Sequence, residues 1–160
     1  MKQYRSFLQI APKLEGRTIS GTALVFDSWS KMLYEPLIGN FQEKIQRNAL
    51  TQEILDNSDV VANMDHDRNY IMARRKYGHG NLDLQITETG LDFRFDCPET
   101  VKGEELLQHV KRGEIDSCSF CFSLPEDGET WYKDGDTLCR EITKFERLYD
   151  VACVFYPAYE

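Results

Sequence analysis

Histidine is scarce in this chain, with only three in 160 residues, so few side chains are available as a general base near neutral pH. Long apolar runs are missing too. Nothing approaches the ~20 residues that cross a bilayer, and the start, Met1-Lys2-Gln3-Tyr4-Arg5-Ser6, lacks the apolar core of a signal peptide. Neither export nor a membrane partner is expected. Positive charge is in deficit, 19 basic against 27 acidic residues for a net charge of -8. That balance repels a phosphate backbone, so nucleic acid is not an expected partner. Repeats, low-complexity stretches and linkers are absent, and the chain reads as a single domain over residues 1–160 with room for its own core. Five cysteines, Cys97, Cys118, Cys121, Cys139 and Cys153, form no even framework. They read as reduced, buried thiols.

What is present is mostly strand pattern. Loose alternation through Phe7, Leu8 and Ile10 and the β-branched run Thr18 to Phe26 predict two strands. Phe41, Ile45, Leu50, Ile54 and Leu55 recur at three to five residues, which predicts a surface helix between Asn40 and Asn57, broken near Asn48. Val60 to Met64 reads as a short strand ending at Asp65-His66-Asp67. Leu82 to Ile86 and Leu91 to Phe95 alternate strictly about Thr87-Glu88-Thr89-Gly90, a hairpin. Pro98 to Gly113 carries an amphipathic helix with a glycine stop. Four further strands follow at 115–124, 129–133, 138–142 and 148–156. Many antiparallel strands with two helices predict an α+β fold, mainly an antiparallel β-barrel flanked by helices.

The chemistry centres on Ser119. In Ser117-Cys118-Ser119-Phe120-Cys121-Phe122-Ser123, period-2 alternation puts Ser117, Ser119, Cys121 and Ser123 on one small, polar face and Cys118, Phe120 and Phe122 on a core face. The small face could floor a substrate groove or merely meet solvent. His66, at a strand end between two carboxylates, is the best placed base. His79 lies in a flexible turn, and His109 on an amphipathic helix. Asp150 shares a strand face with Leu148, Ala152 and Val154, where a lone carboxylate is costly, and a partner such as His66 would resolve the conflict. Glu146 is the alternative acid. Cys118 and Cys121 have CxxC spacing, but on a strand and without a second pair they form neither a redox motif nor a zinc site. Asp65, His66 and Asp67 point to alternate faces and cannot all reach one ion. No metal or cofactor is expected.

Four blocks of sequence then carry a resemblance: Ile19 to Phe26; Asn63-Met64-Asp65-His66-Asp67; Arg112-Gly113-Glu114-Ile115 leading to Ser119-Phe120-Cys121-Phe122; and Leu148 to Val154 ending in Pro157-Ala158-Tyr159. In this order they resemble the prohead (procapsid maturation) serine proteases of tailed phages, the HK97 family. The resemblance implies a fold similar to the herpesvirus assemblins, a barrel wrapped by helices. It also implies a catalytic His66 and Ser119, with Asp150 as the third member because no histidine follows Ser119. Two departures stand out: Met64 precedes Asp65-His66-Asp67 where the family usually has Asn-His-Asp, and Cys121 separates the two phenylalanines where a small residue is usual. Assemblins place tandem arginines near the oxyanion. Here only single Arg140 and Arg147 follow Ser119, so the oxyanion donors stay unassigned.

The implied activity is endopeptidase cleavage of the major capsid protein's scaffolding segment, of a scaffold protein, and of the protease itself. It would occur inside the procapsid in the host cytoplasm, with a homodimer or higher self-association as the active form. The stop at Glu160, where relatives continue into a polar tail, fits truncation or self-trimming. The rival readings are a catalytically silent capsid-assembly module of the same fold and an intracellular processing peptidase unrelated to phage.

Overall fold

The computed structural model describes residues 1–6 and 10–155. Phe7, Leu8, Tyr156 and the Pro157-Ala158-Tyr159 motif lie outside the described residues. In chain order the elements are β1 (Gln3–Arg5), β2 (Lys13–Glu15), β3 (Thr18–Val25), β4 (Leu33–Glu35), β5 (Gly39–Ile45), α1 (Gln52–Asp56), β6 (Asp59–Met64), β7 (Ile71–Lys76), β8 (His79–Gly80), β9 (Asp83–Ile86), β10 (Gly90–Asp96), α2 (Val101–Lys111), β11 (Ser117–Ser123), β12 (Glu129–Asp134), β13 (Thr137–Ile142) and β14 (Arg147–Val154).

The strands form three sheets, ordered β1-β11-β14-β6-β7-β8, β2-β3-β10-β9 and β12-β13-β5-β4. The fold is mixed α+β and mostly sheet, and no closed barrel forms among the described residues. Nor is it wholly antiparallel, because β13 runs parallel to β5 and β14 parallel to β6. Among the described residues no helix is long and apolar enough to cross a membrane.

The expected hairpin is β9 and β10, paired antiparallel from Leu91 with Ile86 to Arg94 with Asp83. Its turn is closed locally: the Gly90 N–H donates to Thr87 Oγ1 at 3.0 Å and the Thr87 N–H to the Gly90 carbonyl at 2.8 Å. The amphipathic segment is α2. Thr100 caps its start by accepting the Gly103 N–H at 3.0 Å, and Gly113, at φ +73°, supplies the left-handed exit.

The helix expected between Asn40 and Asn57 is corrected. Residues 39–45 are β5, and helix is confined to one 3-10 turn at Arg47–Ala49 and the five residues of α1. The buried residues of β5 are Phe41, Glu43 and Ile45, a period of two. The middle one is charged, which disguises the strand alternation and leaves the four-residue step from Phe41 to Ile45 looking helical.

The core binds the sheets together. Ile19, Leu24, Phe93, Leu106, Phe120, Phe122 and Leu148 are all buried in one cluster. Phe122 stacks on Phe120 and Phe145, with centroids 5.2 and 4.8 Å away. These three rings fix the core side of β11, and so the direction of its other side.

Candidate active site

Every residue of β11 is buried, Ser119 completely. The small, polar face predicted for Ser117, Ser119, Cys121 and Ser123 is therefore covered instead of open to solvent. Cys118, Phe120 and Phe122 face the core as expected.

Register builds the site. β14 runs antiparallel to β11, with Ser119 opposite Ala152 and Cys121 opposite Asp150. Ser119 and Asp150 are thus diagonal neighbours on one face, a separation of roughly 7–8 Å that no direct bond spans. A bulge then shifts the register, so that Leu148 pairs with Phe122. Leu148 and Asp150 have the same parity in sequence yet face opposite sides. The irregularity takes Leu148 off the face of Asp150, while Ala152 and Val154 stay on it opposite Ser119 and Ser117, so the carboxylate still needs the partner that His66 supplies.

His66 fills the diagonal gap. β6 lies parallel to β14, Asn63 beside Ala152 and Met64 beside Cys153, and the chain reverses directly afterwards. The Asp67 N–H donates to the Met64 carbonyl at 3.0 Å, closing a tight turn. Its central residues, Asp65 and His66, have φ of +56° and +59°, as a type I′ turn requires and as non-glycine residues rarely tolerate. Three bonds hold that conformation. The His66 N–H donates to buried Asn63 Oδ1 at 3.2 Å, the Asp65 N–H to the Cys153 carbonyl at 3.0 Å, and the Phe155 N–H to Asp65 Oδ1 at 3.2 Å. Sequence reasoning missed Asn63 as a positioning residue, although a lone polar side chain in Val60-Val61-Ala62-Asn63-Met64 was a usable signal.

The imidazole then bridges the other two groups. Its Nδ1 lies 2.7 Å from Asp150 Oδ1, and its Nε2 lies 2.7 Å from Ser119 Oγ. The His66 and Asp150 side chains are 16% and 10% exposed. Bulk water therefore screens their attraction little. With the hydroxyl proton directed at Nε2, these contacts let it pass to that nitrogen while Nδ1–H donates to the carboxylate.

Ser119 has a second contact: its hydroxyl donates to the Arg5 carbonyl at 2.8 Å. Arg5 belongs to β1, which pairs antiparallel with β11 at the edge of the sheet. On the same strand, the Tyr4 ring packs edge-on against His66, centroids 4.8 Å apart. Cys121 stands between Tyr4 and Asp150 in register. Burial, helped by the Asp150 carboxylate, pushes its thiol up to about 11, so near neutral pH it is a neutral thiol and a poor rival nucleophile. Burial likewise raises Cys118 to about 12. The five cysteines are free and buried.

The other candidates go elsewhere. Glu146 Oε2 accepts the Ser123 hydroxyl at 2.8 Å. His109 Nδ1 lies 3.1 Å from Glu114, and His79 sits exposed on β8. Asp65 accepts from Phe155 and Asp67 Oδ1 from the Asn69 N–H at 2.7 Å, so the two carboxylates diverge from the imidazole between them. Arg140 is committed to Glu43 at 2.5 Å and also to Glu129. Arg147 lines a groove of about 480 Å³ beside His66 and Asp150.

No curated protein and no solved structure matches the chain. The family model described as caudovirus prohead serine protease matches residues 8–160. A buried serine, a strained histidine and a carboxylate in hydrogen-bond series thus sit in a chain that belongs to the caudovirus prohead serine proteases, the serine peptidases of phage prohead maturation.

Proposed function

We infer that Ser119 is the nucleophile, His66 its general base and Asp150 the group that orients and charges the imidazole. The observation that carries this is the continuous series Ser119 Oγ, His66 Nε2, His66 Nδ1, Asp150 Oδ1, with 2.7 Å at each contact. In acylation, Nε2 takes the hydroxyl proton as Oγ bonds to the scissile carbonyl carbon. The resulting imidazolium then gives that proton to the leaving amine. Water, deprotonated by the same nitrogen, releases the acyl group and restores Ser119. The Asp150 carboxylate accepts from Nδ1–H throughout. It favours the Nδ1–H tautomer and the imidazolium that forms.

The substrates we infer are the scaffolding segment of the major capsid protein, a scaffold protein where one exists, and the protease itself. Cleavage would take place within the procapsid in the host cytoplasm, by a homodimer or higher assembly and without nucleic acid. Residues 1–160 would act as one domain, with a fold related to the assemblin barrel.

The test is incubation of wild type and Ser119→Ala with the capsid protein precursor, read by intact mass. Cleavage by wild type alone upholds the assignment. Failure of both, at concentrations that allow self-association, would favour the catalytically silent assembly module.

A further inference from the structure

β1 is three residues long, lies at a sheet edge, and touches both Ser119, through the Arg5 carbonyl, and His66, through the Tyr4 ring. Its register is Gln3 with Phe122, Tyr4 with Cys121 and Arg5 with Phe120. The pairing extends one residue further through the Ser6 hydroxyl, which donates to the Cys118 carbonyl at 2.7 Å. An extended segment paired with a sheet edge beside a nucleophile is how β-augmentation holds a peptide. The contact seen here is unproductive. The Arg5 carbonyl oxygen, where attack would need the carbon, meets Ser119 Oγ at 2.8 Å. Ser119 has a single proton, and a hydroxyl that donates it to Arg5 cannot also donate to His66 Nε2. While that proton is donated to the Arg5 carbonyl it is withheld from Nε2, the nitrogen that would have to take it.

The Arg5 side chain adds chemical selectivity. It reaches Glu43, which has no exposed surface, through Nε at 2.7 Å and Nη2 at 3.2 Å. Arg140 shares that carboxylate at 2.5 Å, pairs with Glu129, and donates to Gln3 Oε1 at 2.8 Å. Withdrawing Arg5 would leave two carboxylates against one guanidinium. A buried net negative charge calls for another cation.

We propose that the outer edge of β11, with the Glu43 pocket behind it, is a docking site for an extended polypeptide bearing an arginine or lysine side chain, and that the chain's own residues 3–6 occupy it as an inhibitory strand. The proposal rests on the assignment of Ser119 as nucleophile. Activation is then displacement of β1, by a substrate segment or during assembly, which frees the Ser119 proton for His66.

The test uses the full chain as wild type, Arg5→Lys and Arg5→Ala. One readout is the rate at which a fluorophosphonate labels Ser119, by intact mass. The other is fluorescence polarisation of a labelled Lys-Gln-Tyr-Arg-Ser peptide. Loss of the charged bonds should raise labelling by Arg5→Ala about tenfold or more and give it peptide binding that wild type lacks, with Arg5→Lys between them. The same peptide with alanine for arginine should not bind. Should Arg5→Ala not fold, Ser6→Ala surrenders one partly buried hydrogen bond and carries the test with a rise of about threefold. Labelling of wild type and variants at the same measurable rate, or no gain of peptide binding, would overturn the proposal. Gained binding with no labelling of any form would uphold the docking edge and remove the nucleophile assignment instead.

Discussion

Ser119 and Asp150 occupy one face of the β11–β14 ladder two register positions apart, and His66 connects them with a 2.7 Å contact at each ring nitrogen. Neither carboxylate nor hydroxyl acts on the other directly. What Asp150 does to Ser119 must pass through the tautomer and orientation of one ring.

Asp150→Asn tests that dependence. An amide of the same shape can donate to Nδ1, which would place the proton on Nε2 and leave Ser119 facing a donor. Turnover should fall by about three to four orders of magnitude. The folded structure should barely change, since the shape and burial are kept. The check is single-turnover cleavage of a precursor peptide beside a thermal melt. A loss of less than about tenfold would mean that Asp150 is not the orienting acid.

Glu43 should matter for stability more than any exposed ion pair. Its carboxylate has no exposed surface and serves both Arg5 and Arg140. Glu43→Gln would leave two buried guanidinium groups with Glu129 as the remaining carboxylate. Stripping one partner from a buried pair costs roughly 3–5 kcal/mol. Asp59→Asn, which breaks a pair with Arg74 whose side chains are 34% and 52% exposed, should cost less than about 1 kcal/mol. Urea denaturation of both variants would compare them directly.

Acid stability should depend on Glu141. Hydrogen bonds from Lys44, then Gln46 and Tyr132, hold its carboxyl down to about 2 against an ordinary 4.5. The partners lie at 2.9, 2.6 and 2.8 Å. A depressed folded-state value means that the unfolded chain takes up the proton first on acidification. The contribution is complete above pH 4.5 and drains away as pH falls toward 2. Glu141→Gln should lower the melting temperature at pH 7 and flatten its decline between those pH values. Parallel acid limbs for wild type and variant would refute this.

Much of the fold was legible where the signal was local. The 82–95 hairpin carried strict alternation and its own turn residues, and α2 had a cap, an apolar stripe and a glycine exit. β5 was misread because Glu43, at a core position, is solvated by Arg5 from 38 residues away and Arg140 from 97, and no local pattern encodes that. The site was legible in part for the same reason. Asp150 looked costly among apolar neighbours, which pointed to a partner. That β6 lies parallel to β14, and that a bulge turns Asp150 from Leu148's side, depends on pairing between distant strands. β1 against Ser119 was illegible: three residues of weak alternation do not say which edge they will cover.

Gly103 offers a test in which local propensity and packing predict opposite signs. It sits in the first turn of α2, where alanine is ordinarily better than glycine by about 1 kcal/mol. A Cβ there would stand 1.9 Å from the Pro98 carbonyl oxygen and 2.9 Å from its carbon. Those are backbone atoms, held because the Arg17 guanidinium donates to the Cys97 and Pro98 carbonyls at 3.2 and 3.0 Å. Separating them from α2 should cost roughly 1–3 kcal/mol and outweigh the propensity gain. Gly103→Ala is therefore expected to destabilise. Gly113 separates space from conformation, because its Cβ position is open and only its φ of +73° is restrictive. Asparagine tolerates that region, so Gly113→Asn should cost well under about 1 kcal/mol. Chemical denaturation of the two variants decides. A stabilised Gly103→Ala would mean that the Pro98 segment yields freely and does not brace the start of α2.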